Sequence, residues 1–376
     1  MRLTKLFNEF FESEKAGGLI LIVCTAISLL IANSSFQPEY HHFWETNISG
    51  HSLEYWINDG LMAIFFLLIG LELEREVYKG ELSNFKNALL PVVAALGGML
   101  VPAAVHYLLN AGTPTQGGAG IPMATDIAFA IGILSLLGNK VPPALKIFLT
   151  ALAVIDDLGA IFTIAIFYSG QMDWMSLLYA ILIFVTLLFM NRLKIRNVFF
   201  YIIPGIFMWY FMSLSGVHPT ISGVLLAFAF PFGSGDENST SYVLQHALHK
   251  PVAFFILPLF AMANTAIVIN SDSITQLSSA NSLGIIFGLL LGKTIGISLF
   301  TYLSNKIGLT RLSNEINFKQ IIGVGFLGGI GFTMSVFITL LAFNDANIIN
   351  VSKLSILIAS LVSALSGLIF LRFTLK

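Results

Sequence analysis

Long apolar runs with almost no charge recur along the whole chain, and they constrain the fold more than any other feature. Of the 376 residues, 56% are hydrophobic and only 10% are charged, whereas a soluble domain carries about 25% charged residues. Inside a lipid bilayer each backbone N–H and C=O group must be satisfied without water, so such runs form helices. The sequence therefore predicts an all-α polytopic membrane protein.

The apolar runs define the number of spans, since a membrane-spanning helix needs about 17–25 mostly apolar residues. Twelve candidate segments follow: 12–33, 57–77, 88–109, 120–138, 143–168, 174–191, 197–213, 217–232, 250–270, 281–303, 319–342 and 353–375. With twelve spans, 17 of the 19 basic residues lie on one side, and only Lys353 falls on the other while Lys293 lies mid-span. Because basic loops stay cytoplasmic, we expect both termini in the cytoplasm.

The loop 34–56 lies outside the membrane in this topology. In the stretch 43–56, β-branched and aromatic residues flank Ser49-Gly50, which is typical of a small β-hairpin; an irregular loop is the alternative. An isolated hairpin is only marginally stable in water. We therefore expect a homodimer that pairs two copies of hairpin 43–56.

Two groups of three spans, at about 88–168 and 281–375, begin on opposite sides of the membrane. If they share a fold, they are inverted repeats within a single transmembrane domain, 1–376. Pro122 interrupts the fourth span and a glycine-rich run, 323–331, interrupts the eleventh, and both features disfavour a regular helix. Broken helices at membrane depth line a cavity or are buried in protein, although close packing is the alternative reason for the glycines.

Four charged residues lie deep within the spans: Asp126, Asp156, Asp157 and Lys293. One aspartate at the centre of a bilayer helix costs about 2.5–3.5 kcal/mol, so such residues indicate function. A single Asp–Lys pair could simply lock two helices together, but two carboxylates are then left over. Adjacent helical residues do not share a face; we expect one of Asp156 and Asp157 to meet Lys293 and the other to face Asp126. Together with the Thr125 hydroxyl these are hard oxygen ligands, which suit small hard cations.

These carboxylates predict exchange chemistry. If a cation and protons compete for the same groups, each must leave before the other binds, and a site exposed alternately to two sides exchanges Na⁺ for H⁺. Two carboxylates that discharge together make the cycle electrogenic. No cofactor is expected, since Na⁺, Li⁺ and H⁺ are the transported ions. With a net charge of −1, the chain lacks the excess of positive charge that attracts nucleic acid.

The chain resembles the bacterial NhaA family of Na⁺/H⁺ antiporters along nearly its whole length. The motifs that carry the resemblance are Ala124-Thr-Asp126, Ala151-Leu-Ala-Val-Ile-Asp-Asp-Leu-Gly159, Gly292-Lys293, Gly70-Leu-Glu-Leu-Glu-Arg-Glu76, Gly216-Val-His218 and Leu257-Pro-Leu-Phe-Ala261. It implies a multi-pass protein of the bacterial inner membrane. Inverted repeats around a midplane site are themselves known from this family, so they are not independent support.

The resemblance also assigns roles to the buried charges. It implies that Asp156 and Asp157 are the paired transport aspartates that hold Na⁺, with Asp157 as the principal ligand. Asp126 and Thr125 match the broken-helix positions, and Lys293 matches the lysine that pairs with the first aspartate. Whether Asp156 or Lys293 carries the second proton stays open.

A pH-sensing cluster at the cytoplasmic end is implied as well. The matching residues are Glu72, Arg75, Glu76, His246 and His249, and His218 matches a further histidine linked to the pH response. Gln245 stands where the family often has a glutamate, so the set-point of activation stays open. The alternatives are an interfacial charge cluster and, for His218, a histidine that caps a helix junction.

Two other classes of function compete with antiport. An intramembrane aspartyl protease also needs aspartates on separate spans, but it typically presents Gly-x-Gly-Asp, whereas Asp126 follows Met-Ala-Thr. A Na⁺-coupled organic-solute symporter of the same architecture needs a roomy polar cavity. The residues available here supply ion ligands instead.

Overall fold

The computed structural model describes residues 5–233, 235–237, 239–313 and 315–375, and these parts are mostly helical. The first nine α-helices are α1 Lys5–Ala32, α2 Gln37–Glu45, α3 Leu53–Tyr55, α4 Met62–Tyr78, α5 Phe85–Leu109, α6 Ile127–Ser135, α7 Pro143–Phe167, α8 Trp174–Arg192 and α9 Phe199–Ser215. The others are α10 Ile221–Ala229, α11 Thr240–Pro251, α12 Leu257–Asn264, α13 Ser271–Thr275, α14 Ala280–Phe287, α15 Lys293–Lys306, α16 Phe318–Gly328, α17 Phe332–Ala342 and α18 Ala346–Thr374. Turns of π-helix join α3 to α4, α11 to α12 and α14 to α15.

Several of these helices are long and apolar enough to cross a membrane. Among the described residues nine helical segments qualify, one of which, Gln116–Ser135, joins a 3₁₀ segment to α6, and α16 with α17, bent by 47°, makes a tenth. The predicted short spans correspond to α9, with 17 residues, and α10, with nine. The chain is therefore a multi-pass membrane protein.

The predicted hairpin is confirmed between α2 and α3. Strand β1, Asn47–Ile48, pairs antiparallel with β2, His51–Ser52. Ser49 and Gly50, at the centre of the turn, both have positive φ, 55° and 93°, as a two-residue turn of type I′ requires. The Trp56 indole donates to the Ile48 carbonyl, which ties the hairpin to the helix that follows.

The chain forms two compact units. The first unit comprises Met1–His42, Asn84–Ala160 and Ala261–Lys376, and the second comprises Phe43–Ser83 and Ile161–Phe260. All five candidate ion-binding residues lie in the first unit. All six candidate pH-sensing residues lie in the second.

In the first unit α5 and α15 cross in direct backbone contact. A Cβ on Gly97 would lie 2.3 Å from the Gly296 carbonyl oxygen, and a Cβ on Gly296 would lie 2.1 Å from that of Gly97. No larger residue fits at either position without moving a helix, since the obstructing atoms belong to backbone. This crossing fixes the helix that begins with Lys293.

The second unit is built around a core that α4, α8, α9, α10 and α11 share. Its buried members include Leu71, Leu187, Tyr201, Met208 and Phe230. Helix α9 ends at Gly216, whose φ of 86° is the left-handed conformation that glycine adopts at a helix C-terminus. The contact of Gly216 with the Gln171 carbonyl leaves no room for a Cβ.

Candidate ion-binding site

The predicted break in the fourth span lies at Ala124–Asp126. A 3₁₀ segment, Gln116–Met123, contains Pro122 and leads into an extended stretch before α6 begins at Ile127. Proline lacks an N–H and disfavours a regular α-helix, so Pro122 contributes to the interruption, although α5 continues through Pro91 and Pro102. Thr125 and Asp126 lie in this extended stretch, outside the regular hydrogen bonding of a helix.

The second break, also predicted, separates α16 from α17 at Gly329–Gly331. A Cβ on Gly329 would lie 2.3 Å from the Leu289 carbonyl oxygen. The two halves meet at 47°, and the carbonyl of Ile330 accepts a hydrogen bond from the Asp126 N–H at 2.7 Å. Close packing and interruption, which the sequence analysis treated as alternatives for the glycines, are therefore both present.

Asp126 joins the two breaks through its side chain. Its Oδ1 accepts from the Phe129 N–H at 2.9 Å and so caps α6. Its Oδ2 accepts from the N–H and the hydroxyl of Thr333, at 3.1 and 2.6 Å, in the first turn of α17. One carboxylate thus lies at the positive N-termini of two half-helices, where negative charge is stabilised. Thr333, which sequence reasoning missed, is the partner that makes this link.

Asp156 and Lys293 form a fully buried ion pair. The Lys293 Nζ lies 2.7 Å from Asp156 Oδ2, and both side chains are 0% exposed. The ammonium also donates to the Met123 carbonyl at the end of the 3₁₀ segment. Of the two adjacent aspartates, the structure places Asp156 at the lysine.

The Thr125 hydroxyl reaches the same carboxylate oxygen. Its Oγ1 lies 2.6 Å from Asp156 Oδ2 and 2.8 Å from the Gly328 carbonyl oxygen. A hydroxyl has one proton to donate, so Thr125 can donate to only one of these acceptors at a time. Both breaks therefore meet at the Thr125 hydroxyl, which lies between Asp156 and the Gly328 carbonyl of the eleventh span.

Asp157 is the next residue on α7 and is 1% exposed. Two residues further, a Cβ on Gly159 would overlap Met99, so α5 packs closely against this turn of α7. Among the described residues no three His, Cys, Asp or Glu side chains cluster as metal ligands. A cation at Asp157 would therefore need backbone carbonyls, hydroxyls or water for the rest of its coordination shell.

The predicted pH-sensing residues fall at two places in the second unit. Near the end of α4, the Glu72 Oε1 lies 3.8 Å from His249 Nδ1, and Arg75 Nη1 lies 3.5 Å from Gln245 Oε1. Arg75 also lies over the Tyr242 ring, 5.2 Å from its centroid. Stacking extends this group to His246, whose ring faces that of Tyr242, while Glu76 follows one turn after Glu72 on the same helix.

His218 lies elsewhere in the unit. Its Nε2 is 3.6 Å from Asp59 Oδ1 and its Nδ1 is 2.7 Å from the Thr220 hydroxyl. Asp59 and Glu72 occupy one continuous helical segment, about 20 Å apart along its axis. Asp59 is not among the predicted site residues, although its position inside the second apolar run was a usable signal.

Comparison with known proteins bears directly on this arrangement. A family profile described as Na⁺/H⁺ antiporter 1 matches residues 8–371. The chain belongs to this family. It is a family of transporters, so the protein is not an enzyme and the protease alternative is wrong.

Curated relatives match over almost the whole chain. A protein of Flavobacterium psychrophilum named Na⁺/H⁺ antiporter NhaA is 64% identical over 100% of this chain and 98% of its own length. One of the same name from Cytophaga hutchinsonii is 60% identical over 100% and 97%. A Clostridium beijerinckii protein named Na⁺/H⁺ antiporter NhaA 2 is 46% identical over 98% and 94%. The family resemblance read from the motifs is therefore confirmed.

Proposed function

We propose that this protein exchanges cytoplasmic Na⁺ or Li⁺ for external H⁺, with Asp157 and Asp156 as the groups for which cation and protons compete. The observation that carries the proposal is the convergence of Lys293 and Thr125 on one oxygen of Asp156, beside buried Asp157. Removing a partner from a buried ion pair is strongly destabilising. The charge of this site is therefore sensitive to each proton and each cation that enters it.

The exchange follows from charge balance. When no cation is bound, Asp157 holds one proton, and the Asp156–Lys293 pair holds a second, on whichever of its two members carries it. A Na⁺ ion that arrives at Asp157 replaces the first proton one for one, which leaves the charge of the site unchanged. Release of the second proton, from Asp156 or from Lys293, then sends two protons against one Na⁺, and this makes the cycle electrogenic. A membrane potential of 100 mV then contributes about 2.3 kcal/mol per net charge moved.

The roles of the other residues follow from their contacts. Asp126 holds the two half-helix N-termini together through Thr333, and so keeps Thr125 at Asp156. In the second unit, Glu72, Arg75, Glu76, His246 and His249 set the pH at which exchange begins, and His218 adds a second titratable group beside Asp59. The physiological roles are pH homeostasis and salt tolerance.

The finer architecture is part of the same proposal. It comprises twelve spans in a single transporter domain, inverted repeats at about 88–168 and 281–375, and both termini on the cytoplasmic side of the bacterial inner membrane. Two copies associate as a homodimer through hairpin 43–56. Shortening the hairpin is expected to yield a monomer in native mass spectrometry, and an unchanged dimer would place the interface elsewhere.

The direct test is proton release from purified protein on addition of Na⁺, Li⁺ or K⁺ across a range of pH. We expect Na⁺ and Li⁺ to expel protons and to bind more weakly in acid than in alkali. Equal Na⁺ binding at both extremes, with no protons released, would refute the mechanism. Na⁺-dependent uptake of an organic solute without proton release would favour the symporter.

A further inference from the structure

A polar cavity in the second unit contains a buried acid that the exchange mechanism does not use. The cavity has a volume of about 510 Å³ and is lined by Glu74, Tyr78, Lys79, Asn191, Phe228, Phe232 and Gly233. Glu74 is only 5% exposed, and the Ser241 hydroxyl donates to its Oε2 at 3.2 Å. A carboxylate has about four acceptor positions, so this contact alone leaves acceptor capacity directed at the cavity.

The two positively charged residues near Glu74 in sequence differ in their relation to the cavity. Arg75, next to Glu74 in sequence, lies over the Tyr242 ring and reaches Gln245. Lys79 lines the cavity itself and is exposed. The cavity thus presents a deep carboxylate and a shallower ammonium, which complement a ligand with a positive and a negative group a few ångströms apart.

The position of the cavity indicates that such a ligand comes from the lipid bilayer. It lies where α4 and α8 end, next to the exposed basic residues Arg192, Lys194 and Arg196, and basic residues of this kind mark the cytoplasmic headgroup region of a bilayer. Tyr78 and Phe228, which line it, are 63% and 38% exposed, so apolar surface continues outward from the polar floor. A phospholipid matches this arrangement, because its polar head fits the polar floor of the cavity and its apolar chains fit the apolar surface at the mouth.

We propose that this cavity binds the headgroup of an amine-bearing zwitterionic phospholipid, phosphatidylethanolamine. The primary ammonium of the lipid donates to Glu74, its phosphate meets Lys79, and its chains lie along Tyr78 and Phe228. A trimethylated choline head cannot donate a hydrogen bond to Glu74, and an anionic glycerol head brings no cation to it. The site therefore binds a lipid more tightly when its head group carries more N–H donors.

The test uses purified full-length protein in detergent, with phosphatidylethanolamine, phosphatidylcholine and phosphatidylglycerol of identical chains as probes in native mass spectrometry. We expect Glu74→Gln to abolish the preference for ethanolamine over choline, about tenfold in apparent affinity, as the loss of one charge-assisted hydrogen bond implies. Lys79→Met should weaken both lipids equally and keep their ratio. The control Glu54→Gln, a carboxylate outside the cavity, should change neither quantity.

A second series leaves the protein unaltered, in case Glu74→Gln does not fold. Phosphatidylethanolamine carrying zero, one, two or three N-methyl groups should bind progressively more weakly as N–H donors are lost. Equal binding across the series, or an intact preference in Glu74→Gln, would overturn the proposal. So would full competition by soluble phosphoethanolamine, which would make the ligand a soluble one. Because no transport is measured, these outcomes are independent of whether the protein exchanges Na⁺ for H⁺.

Discussion

Both units bury carboxylates beside positive groups, but they do so with different geometry. In the first unit Lys293 lies 2.7 Å from Asp156, with both side chains fully buried, at a point where two spans lose their helical backbone. In the second unit Glu72 and His249 are 3.8 Å apart, with 10% and 14% of their side chains exposed, on helical backbone. The hydrogen bond from Arg75 Nη1 to Gln245 Oε1 is similarly long, at 3.5 Å.

The difference separates two kinds of charged site. A short, dry pair whose neighbours are backbone carbonyls and a hydroxyl is suited to direct contact with a dehydrated ion, because each oxygen is held in position. A longer and less completely buried pair is suited to titration, because gain or loss of a proton requires little rearrangement. Substitutions at both kinds of site test this division.

Asp157→Asn is expected to abolish exchange, since it removes the carboxylate that cation and proton share. The loss should be about 100-fold or more, on the scale of removing one charge from a buried pair. It is measured as the Na⁺-driven pH change in everted vesicles. The matched control is Asp173→Asn, because asparagine still caps α8 at that position and exchange should stay near the parent rate. Exchange near the parent rate in Asp157→Asn would refute its assignment as ligand.

Thr125→Val should weaken apparent Na⁺ affinity by about 10- to 100-fold, since it removes a hydrogen bond to a charged group. The readout is the Na⁺ concentration that gives half-maximal exchange. Thr186→Val makes the same change on α8, where the hydroxyl donates to the Leu182 carbonyl of its own helix. Equal behaviour of the two variants would show that the convergence on Asp156 is incidental.

Gly97→Ala should destabilise the first unit by about 1–3 kcal/mol, the cost of overpacking, because its methyl would meet the Gly296 carbonyl. A lower thermal midpoint of the purified protein checks this. Gly117→Ala is the control, since no heavy atom of the described residues lies within 4 Å of a Cβ there. A Gly97→Ala protein as stable as Gly117→Ala would mean that the helices move apart at little cost.

Gln245→Glu should shift the pH profile of exchange to more alkaline values by about one unit or less, with little change in maximal rate. The added negative charge lies close to Arg75 and favours the protonated forms of the neighbouring groups, so a higher pH is needed to discharge them. Gln171→Glu, in an exposed loop, should leave the profile unchanged. An unmoved profile in Gln245→Glu would count against a sensing role for this cluster.

Much of the candidate site was predictable because burial of charge in lipid is so unfavourable. Asp126, Asp156, Asp157 and Lys293 stand out in any reading of the apolar runs, and Pro122 marks a break by its chemistry alone. Thr333 could not be recognised in the same way, because a threonine in an apolar helix usually bonds to its own backbone. Glu74 was passed over because a glutamate near a helix end is ordinarily solvated.

By itself the sequence determined that the chain is a helical membrane protein, where its breaks fall and which residues carry charge into the apolar region. Helical hydrogen bonding and the cost of buried charge are local properties, so they can be read residue by residue. Only the tertiary structure decided that Lys293 meets Asp156, that Asp126 joins the two breaks through Thr333, and that Thr125 and Gly328 share a contact. Those partners lie on different spans, and their distances depend on how closely helices cross, as at Gly97 and Gly296.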